Sequence, residues 1–191
     1  MNKLLSSAKV KFVSEILLVS FIIFISITSA QASESGKGIK VNVLSTTPTS
    51  TTLEFILTDY NQSVIKIGET DFVNYEVPGS ISFMERGFPQ LPIHRASIII
   101  PDLAGMNYRV IDQQVNEIAT DPVAPSKGHF TRNIDPETVA YTFDQFYNSN
   151  NWYPQTNIST DNPYIIKDLR GLTVQFNPMQ YNPAEHKLRI C

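Results

Sequence analysis

The chain has 191 residues, of which 42% are hydrophobic and 17% charged, so it is too apolar for a disordered chain and long enough for one domain. Its formal net charge of −3 supplies no broad basic surface for nucleic acid. The single cysteine excludes both an internal disulfide framework and a cysteine-rich zinc module.

Residues 1–32 have the three parts of a secretory signal peptide in the right order. A basic opening is followed by an apolar run at 16–27, and Ala30 and Ala32 then form an A-x-A cleavage site. The run is shorter than the roughly 20 residues that a membrane-spanning helix needs. We therefore expect export to the periplasm, the cell surface or the medium, with no stable membrane anchor and with 33–191 as the mature domain.

The mature chain is dominated by alternating apolar and polar residues, which is the pattern of half-buried strands. A hairpin is predicted from two such runs, 39–43 and 53–57, around a polar turn. Three consecutive isoleucines at 98–100 indicate a strand that is buried on both faces. Further strands are predicted over residues 64–67, 72–77, 108–111, 115–118, 172–176 and 188–190.

The segment 121–135 is polar and interrupted by prolines, so we expect a long surface loop. Asp135 then resembles a helix N-cap with Pro136 at the first helical position, and apolar spacing over 139–147 favours one short helix. The predicted fold is an all-β, antiparallel, jelly-roll-like sandwich with at most one short helix. Because the last strand stops at Cys191, we expect the natural protein to continue.

No pattern in the sequence supports catalysis or metal binding. The three histidines are far apart and lack chelating spacing, and Cys191 has no small-residue elbow before it to build an oxyanion hole. We expect no catalytic residue, cofactor or metal in this chain. The aromatic residues between 141 and 153 suit either a sugar-stacking platform or ordinary core packing.

The segment GFPQLPI at 87–93, followed by SIIIP at 97–101, resembles a pattern in the N-terminal propeptides of gingipain-type cysteine peptidases. WYP, LRG and YNP further along fall in that family's order. Glycine and the prolines make a stiff, kinked entry into a strand, so the motif is scaffold rather than catalytic machinery. The motif positions are Gly87, Pro89, Leu91, Pro92, Pro101, Tyr153, Pro154, Tyr181, Asn182 and Pro183.

The resemblance implies an all-β domain that precedes a caspase-like catalytic domain, aids its folding and keeps it latent by covering the active-site cleft. The partner is then the cognate cysteine peptidase domain in the same precursor. The family's catalytic residues lie downstream, so this chain is not itself an enzyme, while the full-length precursor is expected to be a cysteine-type endopeptidase.

In family members with basic specificity, a basic residue on a propeptide loop is expected to occupy the substrate pocket. Lys127 and Arg132 are the candidates in the 121–135 loop, and the alternative is that both are solvated surface charges.

The rival function is a secreted β-sandwich adhesion or carbohydrate-binding module without a protease. A free-standing enzyme ranks last, because no nucleophile and base are paired. Translation of the codons that follow residue 191 distinguishes the propeptide from the adhesion or carbohydrate-binding module.

Overall fold

The computed structural model describes residues 6–15, 38–103 and 105–191. Those residues form fourteen β-strands and two short 3₁₀ turns, Pro136–Thr138 and Gln145–Asn148. None of the described segments is a helix long and apolar enough to cross a membrane. The strands are β1 (Ser6–Glu15), β2 (Ile39–Thr47), β3 (Ser50–Leu57), β4 (Asn61–Ile67), β5 (Thr70–Glu76), β6 (Ile81–Ser82), β7 (Pro92–Ile99), β8 (Gly105–Gln113), β9 (Asn116–Ala119), β10 (Ile158–Thr160), β11 (Tyr164–Ile166), β12 (Leu169–Phe176), β13 (Met179–Asn182) and β14 (Lys187–Ile190).

The strands pair in antiparallel sheets. One sheet has the order β2-β3-β1-β8, and a second has the order β10-β12-β7-β6, with β11 added to β12. A third sheet has the order β13-β14-β9, and β4 and β5 form a separate hairpin. The expected all-β antiparallel sandwich is therefore confirmed.

The core lies between the first two sheets and is built by alternate residues of their strands. The rings of Phe55 on β3 and Phe176 on β12 stack with centroids 5.1 Å apart. Leu53 and Val174 on the same two strands are also almost fully buried. Burying aromatic and branched side chains in this way stabilises a domain by about 1.5–3 kcal/mol per side chain.

The predicted hairpin at the start of the mature chain is confirmed as β2–β3, and the runs at 64–67 and 72–77 form the hairpin β4–β5. The predicted burial of the isoleucine run on both faces is wrong, because Ile99 is 71% exposed while Ile100 is buried. The end of β7 keeps the ordinary alternation, in which only one face meets the core.

Two predictions about the segment 121–148 also need correction. No continuous helix forms; Asp135 caps one 3₁₀ turn and Asp144 caps the other, with extended backbone at Val139 between them. The segment 121–135 is exposed only in its second half, since Val123 and Ala124 are buried. Backbone hydrogen bonds to β5 and to residues 87–90 hold that first half in the core.

Strand β1 lies inside the region predicted to be a signal peptide. It pairs with β3 on one side and with β8 on the other, and its Ala8, Val10 and Phe12 are fully buried. The apolar run at 16–27 and the cleavage residues Ala30 and Ala32 lie outside the described residues. Removal of the leader therefore stays a prediction, and it would take a central strand out of the first sheet.

Candidate inhibitory loop and its scaffold

The motif segment that begins at Gly87 forms the floor under the 121–135 loop. Gly87 donates its amide to the carbonyl of Ser126 (2.9 Å), and the amide of Ser126 donates to the carbonyl of Phe88 (2.7 Å). Gln90 donates in the same way to Ala124 (2.9 Å). These backbone bonds turn the first half of the loop into an extra strand-like segment, which explains why it is buried.

A second set of backbone hydrogen bonds joins this segment to β5. Ala124 donates its amide to the carbonyl of Val73 (2.9 Å), and Val73 donates to the carbonyl of Pro122 (2.8 Å). The side chains of Val73 and Val123 are fully buried. The loop is therefore fixed at its base from two sides before it leaves the core at Lys127.

Four further motif residues, Tyr153, Pro154, Tyr181 and Asn182, form a third set of hydrogen bonds. Tyr153 and Tyr181 exchange both backbone hydrogen bonds, at 3.0 and 2.8 Å. The carbonyl of Pro154 accepts from the side chain of Gln180 (2.7 Å), and the side-chain oxygen of Asn182 accepts from two backbone amides in the turn that follows. All of these contacts involve backbone groups, and the scaffold role of the motif stays a prediction.

An aromatic cluster, defined as Phe83, Phe88, Phe146, Tyr147 and Tyr153, packs against this scaffold. Phe88 contacts Tyr153 at 5.1 Å and Phe146 at 5.8 Å between ring centroids. Burial raises the pKa of the hydroxyls of Tyr147 and Tyr153 above the usual value of 10.0. These rings are partly buried and pack on one another, several at steep angles, so they do not form a flat sugar-stacking platform.

The other aromatic residues of the suggested platform are scattered. Trp152 lies under the guanidinium of Arg189 at 3.7 Å, and Tyr141 lies under the ammonium of Lys127 at 4.5 Å. Their rings stack on basic side chains of the protein itself. The sequence could not separate these two environments, because it shows spacing but not partners.

The two basic candidates differ in what holds them. Lys127 donates from Nζ to the carbonyl of Pro136 (2.8 Å) and lies over the ring of Tyr141, so both its charge and its stem are used inside the loop. Arg132 is exposed, and no ion pair or hydrogen bond joins its side chain to another described residue. Of these two candidates, Arg132 is the one whose charged group makes no contact with the described residues that would hold it back from a partner.

The tip that carries Arg132 is ordered by its own hydrogen bonds. The hydroxyl of Thr131 donates to Oδ1 of Asn133 (2.6 Å), and the amide of Ile134 donates to the carbonyl of Thr131 (3.1 Å). Asp135 then accepts the amide of Glu137 at its carboxylate (3.0 Å) and begins the first 3₁₀ turn. The tip is thus a short turn between two fixed points.

Cys191 lies in the core, where two polar side chains contact its sulfur. Its side chain is fully buried, and Sγ accepts from Nε2 of Gln113 (3.3 Å) and from the side chain of Asn157. Burial raises the pKa of the thiol above its ordinary value, which disfavours the thiolate that a nucleophile requires. In the described part of the chain, no three His, Cys, Asp or Glu residues come together as a metal site.

The amino-acid sequence of this chain is similar to parts of two longer proteins. Gingipain R1 of Porphyromonas gingivalis is 32% identical over 164 residues, which are 84% of this chain and 16% of that protein. Gingipain R2 of the same organism is 28% identical over 177 residues, 91% of this chain and 24% of that protein. The chain therefore spans a quarter or less of the length of these relatives.

Two solved structures share the fold. A complex of Porphyromonas gingivalis RgpB pro- and mature domains has a chain that matches with a TM-score of 0.69 and 24% identity, over 82% of this chain and 77% of that one. A structure on the zymogenic latency of gingipain K matches with a TM-score of 0.60 and 17% identity, over 96% and 92%. The family model Propeptide_C25 matches residues 31–191. This chain therefore belongs to the Propeptide_C25 family.

Proposed function

We propose that this chain is the N-terminal pro-domain of a gingipain-type cysteine endopeptidase precursor, which helps the catalytic domain to fold and then keeps it latent. It acts by covering the active-site cleft, and the precursor continues beyond residue 191. Family membership over residues 31–191 and the likeness to the pro-domain complex of RgpB support this function.

The observation that carries the latency proposal is the contrast between the fixed base and the free tip of the 121–135 loop. Its base is hydrogen-bonded to the motif segment and to β5, while Arg132 stands exposed at an ordered turn. A side chain held on a pre-organised turn loses little conformational entropy when it enters a pocket. We therefore assign Arg132, rather than Lys127, as the residue that enters the specificity pocket.

An arginine is well suited to that role. Its guanidinium presents a planar set of donors that can pair with a carboxylate through two parallel hydrogen bonds. If the peptidase prefers basic residues, such a pair at the floor of its pocket holds the loop as a substrate would be held. The relatives named gingipain R1 and gingipain R2 make such a preference a reasonable choice for the first test.

The test measures inhibition of the cognate catalytic domain by the full pro-domain and its variants. Arg132→Ala is expected to weaken inhibition by roughly 2–5 kcal/mol, because a buried charge in the pocket loses its partner. Lys127→Ala is the matched control, since it removes a charge from the same loop but one that points back to Pro136. Its effect is expected to stay below about tenfold.

Two outcomes would contradict the proposal. If Arg132→Ala leaves the inhibition constant within a factor of about two, the tip is not the inhibitory element. If the wild-type protein does not inhibit at all and the gene encodes no peptidase beyond codon 191, the adhesion or carbohydrate-binding alternative replaces the pro-domain.

Export by a removed leader is part of the proposal. The family match begins at residue 31, next to the cleavage point that Ala30 and Ala32 predict. Exported protein is expected to begin at Ser33. N-terminal sequencing of secreted material checks this, and an N-terminus at Met1 would show that the leader is retained.

A further inference from the structure

Strands β1 and β14 pair with two strands, β8 and β9, that follow each other closely along the chain. β8 ends at Gln113 and β9 begins at Asn116, so the two form an almost continuous strand. β1 pairs antiparallel with β8, and β14 pairs antiparallel with β9. β14 and β1 therefore run in the same direction, with the end of β14 aimed at the start of β1.

Contacts at the junction show how close the two ends are. The carbonyl of Ser7 on β1 accepts the amide of Gln114 (3.0 Å), and Nε2 of Gln113 reaches Sγ of Cys191 (3.3 Å). If the β14–β9 register is carried forward unchanged, the second residue after Cys191 lies opposite Gln113, the place that Ala8 takes here.

Strand β1 fills the slot between β3 and β8 and pairs with both of these strands. Ala8, Val10 and Phe12 point into the core and are fully buried. On the opposite face Nζ of Lys9 lies 3.7 Å from a carboxylate oxygen of Glu54 and 3.5 Å from one of Asp112. The slot thus selects an extended segment with apolar residues at alternate positions and a basic residue between them.

The predicted leader cleavage empties this slot. Without β1, the facing edges of β3 and β8 lose their backbone partners and the apolar side chains beneath them lose their cover. Unpaired buried amides and carbonyls are costly, and an open strand edge promotes aggregation. A secreted domain with this gap needs another strand to fill it.

We infer that the slot between β3 and β8 is the seat of the precursor segment that directly follows Cys191, and that the leader strand β1 is a placeholder for it. This inference rests on the proposed function, because it requires a precursor that continues past residue 191. The continuing chain extends β14 along β8 and completes the first sheet after the leader has gone.

The register gives the segment a testable composition. With the β1–β8 register shift kept, so that the pairing passes from Asp112 directly to Val110, the second, fourth and sixth residues after Cys191 take the inward positions of Ala8, Val10 and Phe12 and are expected to be apolar. The third takes the position of Lys9 between two carboxylates and is expected to be basic. Translation of the codons after residue 191 is the first check, and a charged residue at the inward positions contradicts the inference.

Disulfide trapping is the direct experiment, carried out on the exported precursor extended past residue 191. One cysteine is introduced by Glu54→Cys, and the other replaces the third residue after Cys191. A cross-linked peptide is expected in mass spectrometry. The same pairing in the chain 1–191, with Lys9→Cys and Glu54→Cys, is the positive control, because these residues are register partners. Glu69→Cys, in the turn between β4 and β5, replaces Glu54→Cys in the negative control.

A second measurement needs no substitution. Hydrogen exchange of the amides in β3 and β8 is expected to be as slow in the exported, extended protein as in the chain 1–191. Fast exchange there, or a cross-link to the Glu69→Cys control as strong as that to Glu54→Cys, overturns the inference. Neither readout depends on peptidase inhibition, so a failed latency test and an empty slot are distinguishable.

Discussion

Gly87 joins three separate segments of the pro-domain through its own backbone. Its amide bonds to Ser126, and its carbonyl accepts the amide of Asp144 (3.0 Å). The φ angle of +86° lies in the region that residues with a Cβ resist, and a Cβ here would approach the backbone nitrogen of Asp144 to 3.1 Å. The position therefore needs glycine for its conformation and for space.

Comparison of two glycines separates those causes. Gly68 also has positive φ, at +63°, but no described atom lies within 4 Å of the Cβ it would gain. Gly68→Ala is expected to lower the free energy of unfolding by about 1–2 kcal/mol, from backbone strain alone. Gly87→Ala is expected to cost roughly 1 kcal/mol more, because the new methyl also crowds Asp144. Urea denaturation of both variants checks this, and equal losses would mean that crowding is relieved at no cost.

Our proposal of Arg132 rather than Lys127 also rests on single contacts. Both are basic residues in one polar segment, so the sequence predicted them as equal candidates. The carbonyl of Pro136 and the ring of Tyr141 meet Lys127 only because the loop folds back on itself. No local pattern shows such a contact in advance.

Among the elements, the two 3₁₀ turns have the same start but different surroundings. Asp135 accepts the amide of Glu137 at 3.0 Å, and Asp144 accepts the amide of Phe146 at 2.8 Å. The first turn lies in the exposed loop, whereas the second carries Phe146 and Tyr147 into the aromatic cluster. A lost cap costs more where the freed amide is partly buried, as that of Phe146 is, than where water can replace the bond.

Removing the two caps is therefore expected to have unequal effects on stability. Asp144→Ala should lower the free energy of unfolding by about 1–2 kcal/mol, because the amide of Phe146 loses its acceptor near the core. Asp135→Ala is expected to cost about 0.5 kcal/mol or less, since water replaces the lost bond. Thermal or urea unfolding of the two variants tests this. A larger loss for Asp135→Ala would show that the exposed loop is part of the cooperative core.

The sequence predicted a strand correctly where apolar residues alternate with other residues along that strand. β3 is an example, because Leu53, Phe55 and Leu57 alternate in the sequence and are all buried in the fold. The prediction was wrong for the isoleucine run, since the composition of a strand end does not show whether a second layer covers it. The short strands β10 and β11 were missed because a run of three residues is too short to show an alternating pattern.

The continuous helix expected between 135 and 147 failed for a related reason. Phe143, Phe146 and Tyr147 have helical spacing, and here they meet without a helix, since the ring of Tyr147 lies 5.1 Å from that of Phe143 and 6.1 Å from that of Phe146. The hydrogen bond from Asp144 to the carbonyl of Gly87 ties the chain in an extended conformation in front of the second turn. A tertiary contact thus overrides a weak local preference.

For the whole molecule, the predicted removal of residues 1–32 decides how the first sheet is closed. Strand β1 closes it in the chain 1–191, with Lys9 paired to carboxylates on both neighbouring strands. If the leader is removed as predicted, that closure must come from another segment. The pro-domain is therefore expected to differ in stability between its unprocessed and exported forms, although residues 33–191 are the same in both.

The contribution of the leader strand can be measured on the chain 1–191. Phe12→Ala is expected to lower its free energy of unfolding by about 3–5 kcal/mol, because the ring is fully buried and contacts Tyr108 at 6.1 Å. Lys11→Ala, at the neighbouring position on the opposite face of the strand, is the matched control and should change it by about 0.5 kcal/mol or less. Urea unfolding followed by circular dichroism gives both values. If Phe12→Ala costs no more than Lys11→Ala, the leader does not contribute a core strand, and the exported domain then loses nothing when its leader is removed.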